Sequence, residues 1–254
     1  MIAALSQLPP FVIIGAYALF WSWEAVSAAR LPAGPRFRRA RNIALTALTI
    51  GISTAIGAGL LLLSGFAEHR HLGLLAQMSM PYWSAVILGL AALDLADYWR
   101  HRLSHHIPVL WRLHRLHHSD PAMDVTTTFR SHPIEFLIRG AIFGVAVIVL
   151  GVPSLSLLLM PVLQLPILIF QHANIRLPPA IDRALALLIT TPGMHLVHHS
   201  REEKETNSNY ATFISIWDRM FLSFRRAVPQ GVGLNGFDGP RYQTLVGMIL
   251  APWR

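Results

Sequence analysis

The chain has 254 residues, of which 53% are hydrophobic and only 13% charged, with a formal net charge of +8 and no cysteine. Soluble domains carry roughly 25% charged residues, so the composition predicts an integral membrane protein, and the lack of cysteine excludes disulfide scaffolds, thiolate metal sites and cysteine nucleophiles. The basic residues are mainly arginines beside apolar runs. We therefore attribute the positive charge to membrane-flanking loops and predict no nucleic-acid partner.

Three uncharged runs in the first hundred residues are long enough to cross a bilayer, which takes about 20 residues. Residues 1–23 are free of charge, and their apolar part can continue as a helix to residue 29, without the marks of a cleavable signal peptide. Residues 42–67 and 72–93 form runs of 26 and 22 uncharged residues. We predict a membrane-spanning helix in each of the three.

A fourth run, residues 140–175, contains His172 as its only ionisable group. As one straight helix it would be about 54 Å long, well beyond a hydrocarbon core of about 30 Å. The sequence GVPS at 151–154 offers a break, because proline and glycine interrupt helices. We predict a hairpin of two short helices here, and for residues 1–254 a single all-α membrane domain with about four transmembrane helices.

Arginine counts predict the orientation of this bundle. The loop before residue 42 is rich in arginine, whereas the next loop holds only Arg70 beside Glu68. Positive residues favour the cytoplasm, so the chain is predicted to lie in a cell inner or plasma membrane with residues 101–118, 172 and 195–199 all on the cytoplasmic side. The arginines of the first loop are Arg30, Arg36, Arg38, Arg39 and Arg41.

Histidine is concentrated in three clusters that would form a cytoplasmic helical cap. The first is a pair spaced four residues apart, and the other two share the spacing HxxHH, so each cluster occupies one helix face. Pro108 is predicted to separate the helix of the pair from the helix of the first triplet. The eight residues are His101, His105, His114, His117, His118, His195, His198 and His199.

Several interpretations of these histidines compete. Lone histidines near helix ends are usually interfacial, which is our interpretation of His69, His71 and His106, and histidine-rich stretches also occur in pH sensors and loose metal buffers. Imidazoles at facing helical positions beside a low-dielectric layer need partners, and a metal would use them all. Eight ligands are too many for one ion, so we predict two metals with four or five ligands each. Imidazole suits iron, copper, nickel and zinc, and the absence of clustered methionine or cysteine argues against copper(I).

These residues resemble the fatty acid hydroxylase superfamily, also called the sterol desaturase family, over about residues 79–225. Its members are integral-membrane enzymes with a non-haem di-iron centre held by histidine boxes of the forms HxxxH, HxxHH and HxxHH. DLADYWRHRLSH (94–105) resembles the first box, LHRLHHSD (113–120) the second and TPGMHLVHHS (191–200) the third. NSNYATFISIWDRMF (207–221) is similar to the tail that often follows.

The resemblance implies a non-haem di-iron oxygenase that uses O2 as co-substrate to hydroxylate or desaturate a C–H bond of a lipid. Its cofactor would be two iron ions, which zinc can replace on purification because zinc binds comparable sites more tightly. We recognise no iron–sulfur cysteines, GxGxxG motif or fused haem domain, so we expect a separate electron donor, such as a ferredoxin- or cytochrome-type reductase system. A membrane metal carrier or a metal-dependent, non-redox membrane protein is the alternative. Its site would be expected near the bilayer midplane rather than at helix ends.

Supporting residues are predicted from spacing. Asp94 and Asp97 precede His101 by seven and four residues, so either carboxylate could accept the free ring N–H of a ligand histidine. Pairing with nearby arginines is the alternative for both. Asn209 and Asp218 are predicted to support the third box, with capping or loop roles as their alternative.

Two further histidines are candidate ligands. His172 ends an otherwise uncharged helix, where an unpaired imidazole would be costly. Members of the family that the chain resembles carry a histidine at this point, so we predict His172 as the ninth ligand. His132, in RSHPIE before Pro133, is the weaker candidate and would suit an interfacial position equally well.

Overall fold

The computed structural model describes residues 8–30, 35–237 and 239–254. Within those residues the chain is helical, and extended segments form only isolated bridges. The predicted all-α fold is confirmed. The helices are α1 (Leu8–Ser27), α2 (Arg38–His69), α3 (Leu74–Gln77), α4 (Tyr82–His106), α5 (Pro108–His118), α6 (Pro133–Leu150), α7 (Ser154–His172), α8 (Pro179–Leu185), α9 (Pro192–His198), α10 (Glu203–Thr206), α11 (Ile216–Met220), α12 (Pro240–Gln243) and α13 (Leu245–Leu250).

Four segments of the described chain are long and apolar enough to cross a membrane, which is the predicted number: Leu8–Ser27, Arg38–Gln77, Pro133–Leu150 and Ser154–His172. The last two are the predicted hairpin. Gly151 closes α6 with a φ of 69°, a left-handed conformation that glycine adopts without strain. A β-carbon on Gly73, whose φ is 90°, would overlap the backbone nitrogen of Gly151. The hairpin turn and the loop after α2 therefore touch backbone to backbone.

The predicted span at residues 72–93 is wrong, because α4 is not among these four segments and residues 72–77 belong to the segment that starts at Arg38. The chain there forms the short α3 and an irregular segment, and α4 starts only after Pro81, its N-cap. Proline disfavours the helical conformation in the residue before it, which explains why no helix runs through this point. The helix α4 instead continues past Leu93 to His106 and carries Asp94 and Asp97 in the interior of the bundle.

The long helices share two ends, and contacts between them identify each end. At one end, Glu68 near the end of α2 accepts hydrogen bonds from the backbone and hydroxyl of Ser154, at 3.1 and 2.8 Å. At the other end, Arg38 at the start of α2 donates to Asp120, just after α5, over 2.8 Å. The arginine-rich loop and the histidine boxes therefore lie at the same end of the bundle, and its cytoplasmic orientation stays a prediction.

Candidate metal centre

The first two boxes meet because the chain reverses between two helices. The helix α4 ends at His106, Ile107 is extended, and Pro108 occupies the first turn of α5. The predicted separation at Pro108 is confirmed. The reversal places the inner face of α5 against the end of α4, and every histidine of the two boxes is buried.

The third box lies on α9, a helix of only seven residues. Thr191 is its N-cap, and its side chain accepts a hydrogen bond from the Met194 N–H over 3.3 Å. His195 and His198 lie on the helix, and His199 is its C-cap residue. The cap fixes the residue at which the helix starts. Because each following residue is rotated by a constant angle, the start also fixes the directions in which the three imidazoles point.

The structure brings all eight box histidines and His172 together in two adjacent clusters. Within each cluster, one ring nitrogen from every member lies within 4.8 Å of the others. The rings of His118 and His199, one from each cluster, stack with centroids 4.5 Å apart. The five-histidine cluster contains His101, His105, His114, His118 and His198, and the four-histidine cluster contains His117, His172, His195 and His199.

The spacing of these nitrogens fits metal ions. In the five-histidine cluster the Nε2 atom of His101 lies 3.0 Å from that of His114 and 3.0 Å from that of His198. In the four-histidine cluster the Nε2 atom of His195 lies 2.9 Å from that of His172. Ligands held about 2.1 Å from one ion lie about 3.0 to 3.4 Å apart, depending on the coordination angle. The donor atoms are therefore already at ligand spacing.

The protonation state of the rings also suits metal binding. Burial, and then the neighbouring histidines, lower the pKa of His114, His118 and His199 well below the ordinary value. Neutral imidazole is the form that ligates a metal. The Nε2 atom of His105 is buried without a hydrogen-bond partner among the described residues, and a cation in the five-histidine cluster would satisfy it.

Backbone carbonyls fix the outer nitrogens of several rings. His101 Nδ1 donates to the Tyr210 carbonyl over 2.6 Å, and His198 Nδ1 donates to the Ser208 carbonyl over 2.7 Å. His172 Nδ1 donates to the carbonyl of Leu168 on its own helix, also over 2.7 Å. A proton on Nδ1 leaves the lone pair on Nε2, which is the atom that faces each cluster.

One supporting residue, Glu135, was not anticipated from the sequence. Its Oε2 lies 2.7 Å from His114 Nδ1, and its Oε1 accepts the backbone N–H of His132 over 3.0 Å. This carboxylate–imidazole contact joins α6 to α5, two elements whose packing the sequence does not specify. The available signal was HPIE at 132–135, which combines a capping box with the first glutamate after the second histidine box.

The predicted contact from Asp94 or Asp97 to a ligand ring is not present among the described residues. Asp94 accepts hydrogen bonds from the Trp217 indole over 2.7 Å and the Ile214 backbone over 3.2 Å. Asp97 pairs with Arg100 at 2.7 Å and Arg139 at 3.0 Å, the alternative considered for it. Both carboxylates tie α4 to its neighbours rather than to the histidines.

Asn209 and Asp218 lie behind the ligands. Asp218 accepts the Tyr210 backbone N–H over 2.7 Å, and the carbonyl of Tyr210 holds His101. Asn209 adopts a φ of 52°, and its amide donates to the Met194 carbonyl over 3.0 Å, one residue before His195. Each side chain therefore holds backbone that positions a box histidine.

Four histidines stay outside both clusters. His132 is buried, but its Nδ1 accepts the Ile134 N–H over 3.2 Å and its Nε2 lies 3.1 Å from the Ile249 carbonyl, so it caps α6. His69, His71 and His106 are exposed. The structure thus separates the two candidate additional ligands: His172 enters a cluster and His132 does not.

Comparisons with known proteins agree with this geometry. The family model described as fatty acid hydroxylase matches residues 86–223. The chain is 32% identical over 159 residues to an ornithine lipid hydroxylase, OlsE, of Rhizobium tropici, a match covering 61% of this chain and 47% of that protein. It is similar to the alkylglycerol monooxygenases of Danio rerio, 29% identical over 58% of this chain and 32% of that protein, and of Homo sapiens, 27% identical over 56% and 30%.

These matches cover less than half the length of each of the three relatives. No solved structure matches the chain. The matched region of the family model contains α5, α6, α7 and α9 entire and most of α4, and with them all nine clustered histidines. Since that region is more than half of the chain, the protein belongs to the fatty acid hydroxylase family.

Proposed function

We propose that this protein is a membrane-bound, O2-dependent oxygenase with two iron ions, which hydroxylates or desaturates a C–H bond of a lipid. The observation that carries the proposal is the convergence of nine buried imidazoles in two adjacent clusters of five and four. The names of the relatives, a lipid hydroxylase and alkylglycerol monooxygenases, support a lipid substrate. Membership of the fatty acid hydroxylase family supports iron.

The nine clustered histidines are the proposed ligands, five for one ion and four for the other. Bound iron would supply the O2 activation and the oxidising power that attack on an unactivated C–H bond requires. The protein keeps the imidazoles neutral by burial and fixes their orientation through hydrogen bonds to the outer nitrogens.

Glu135 is the proposed positioning residue of the five-histidine cluster. Its carboxylate holds His114 with the lone pair of Nε2 directed toward the cluster and makes that imidazole a stronger donor. The carbonyl of Tyr210, held by Asp218, acts in the same way on His101. Removing either support would loosen a ligand without removing it.

Placement of the site supports a substrate taken from the bilayer. His172 ends α7, one of the four segments apolar enough to span the membrane, so one cluster lies at the end of an apolar helix. We propose that this end faces the cytoplasm, where a separate ferredoxin- or cytochrome-type reductase system would deliver two electrons per turnover. The arginine-rich loop at the same end supports this orientation.

Metal analysis and lipid analysis test the proposal together. Protein loaded anaerobically with Fe(II) should bind two irons per chain, and host membranes containing it should accumulate an oxygenated or desaturated lipid only in the presence of O2. One tightly bound ion per active chain would contradict the two-metal site. Lipid modification that proceeds without O2 would contradict the oxygenase while leaving the metal site intact.

A further inference from the structure

A cavity of about 320 Å³ lies between α1 and α2, and none of the nine clustered histidines lines it. Its walls are apolar, and Thr126, in the turn after α5, lies at the cavity wall. The volume is within the range of ligand-binding pockets, and a cavity with such walls does not hold water well. The wall residues include Ile13, Tyr17 and Trp21 of α1 and Ile43, Ala47 and Ile50 of α2.

The cavity results from the way the two helices pack. Its residues on α1 recur every four positions, and on α2 Thr46 and Ala47 lie three and four positions after Ile43 and Ile50 follows, so each set forms one helix face. The helix α1 packs mainly on α7, and α2 packs mainly on α6. The facing sides of α1 and α2 are therefore left apart, with the cavity between them.

The length of the cavity is close to the thickness of the hydrocarbon layer in one membrane leaflet. Ile13 to Trp21 and Ile43 to Ile50 each cover about 10 to 12 Å of helix. Half of a hydrocarbon core is about 15 Å thick. A single acyl chain entering from the histidine-bearing end would fill the cavity along most of its length.

The end nearest the α1–α2 loop carries a cation where a lipid headgroup would lie. Arg39 is one turn before Ile43 on the same face, and its guanidinium lies over the Trp21 ring, 5.4 Å from the centroid. Its Nε donates to Asp124 over 2.8 Å, and 42% of its side chain is exposed. The other guanidinium N–H groups make no hydrogen bond among the described residues, so they can bind a phosphate oxygen. The exposed Arg36 adds further positive charge.

We propose that this cavity is a binding site for one anionic phospholipid, with an acyl chain between α1 and α2 and its phosphate on Arg39. Tryptophan beside an arginine at the membrane surface is a typical arrangement for the headgroup region. The cavity shares no lining residue with the two histidine clusters, so this proposal does not rest on the proposed function.

Native mass spectrometry tests the lipid site on protein released from nanodiscs containing equal amounts of phosphatidylglycerol and phosphatidylcholine. Wild-type protein should retain one phospholipid per chain, with phosphatidylglycerol in at least fivefold excess. Ala47→Phe fills the cavity and should reduce retention at least tenfold. Ala44→Phe, one turn away and not in the cavity wall, should retain the lipid as wild type does.

The headgroup contact has its own matched pair of variants. Arg39→Gln should retain a lipid but lose the preference for phosphatidylglycerol. Arg70→Gln removes an arginine that lies over Phe66 at the opposite end of α2, and should keep the preference. Wild-type protein without retained lipid, or equal retention by Ala47→Phe and Ala44→Phe, would overturn the site. An unchanged lipid preference in Arg39→Gln would overturn the role of Arg39.

Discussion

The two histidine clusters share the second and third boxes but are supported differently. Each HxxHH box gives its i and i+4 histidines to one cluster and its middle histidine to the other. In the five-histidine cluster, Glu135 places a carboxylate on His114. In the four-histidine cluster no carboxylate of the described residues contacts a ring. Among those residues the Nδ1 atom of His195 is buried without a hydrogen-bond partner, as is that of His118 in the five-histidine cluster, so the carboxylate is the difference.

This difference indicates that the two proposed metal sites are not equivalent. An anionic partner on the outer nitrogen orients an imidazole and strengthens it as a ligand, and losing such a partner typically costs 10- to 100-fold in affinity or activity. The four-histidine cluster has one ligand fewer and lacks that support. We expect it to release its metal first.

Removing His198 should have the largest effect. His198→Ala deletes a ligand of the five-histidine cluster, and we expect metal content to fall from about two to about one ion per chain and O2-dependent turnover to fall at least 100-fold. His117→Ala should do the same from the other cluster. Metal analysis and lipid mass spectrometry measure both, with the exposed His69→Ala and His71→Ala as controls. Activity that survives His198→Ala would remove the third box from the site.

Comparing His172→Ala with His132→Ala tests which of these two histidines is a ligand of the four-histidine cluster. We expect His172→Ala to lose about one metal ion per chain and most turnover, because its Nε2 lies among the cluster nitrogens. His132→Ala should keep both ions and lower stability by about 1 kcal/mol, the usual cost of a lost helix cap. Metal loss in His132→Ala with normal binding in His172→Ala would reverse the assignment.

Substituting Glu135 should reduce the difference in metal affinity between the two clusters. Glu135→Gln keeps a hydrogen-bond acceptor near His114 but removes the charge, so affinity in the five-histidine cluster should fall about 10- to 100-fold. A chelator added to wild-type protein should remove the metals in two kinetic phases. In the variant the rate constants of the two phases should be closer to each other. Glu68→Gln, at the other end of the bundle, is the matched control. A single phase in wild-type protein would show that the clusters are equivalent.

The smallest expected effect is that of acid on the stability of the metal-free protein. Burial lowers the pKa of His198 from an ordinary value of 6.5 to about 4. Because the folded-state pKa lies below the unfolded one, this contribution to stability is present above pH 6.5 and is lost as the pH falls toward 4. The melting temperature of metal-free protein should therefore fall by several degrees from pH 7 to pH 5, and less in His198→Ala. A melting temperature independent of pH would contradict neutral buried histidines.

Spacing along the chain predicted the helices and which histidines converge, but not how they divide. Neighbouring residues on a helix point about 100° apart, so the side chains of His117 and His118 must point in different directions. Which cluster each one joins depends on how α5 packs. The contact of Glu135 with His114 was not predicted for the same reason, since it joins two helices. The carboxylates of Asp94 and Asp97 had suitable spacing on α4, but Trp217 and Arg139 of other elements bind them.

The distribution of the ligands along the chain constrains how the protein is made. Each cluster draws on residues from the first or second box and on the third box, so neither is complete until His198 and His199 have left the ribosome. By then all four apolar segments have been synthesised. At the proposed sites, metal could therefore bind with a full set of ligands only after all four apolar segments have been made, so the new chain would pass through a metal-free state.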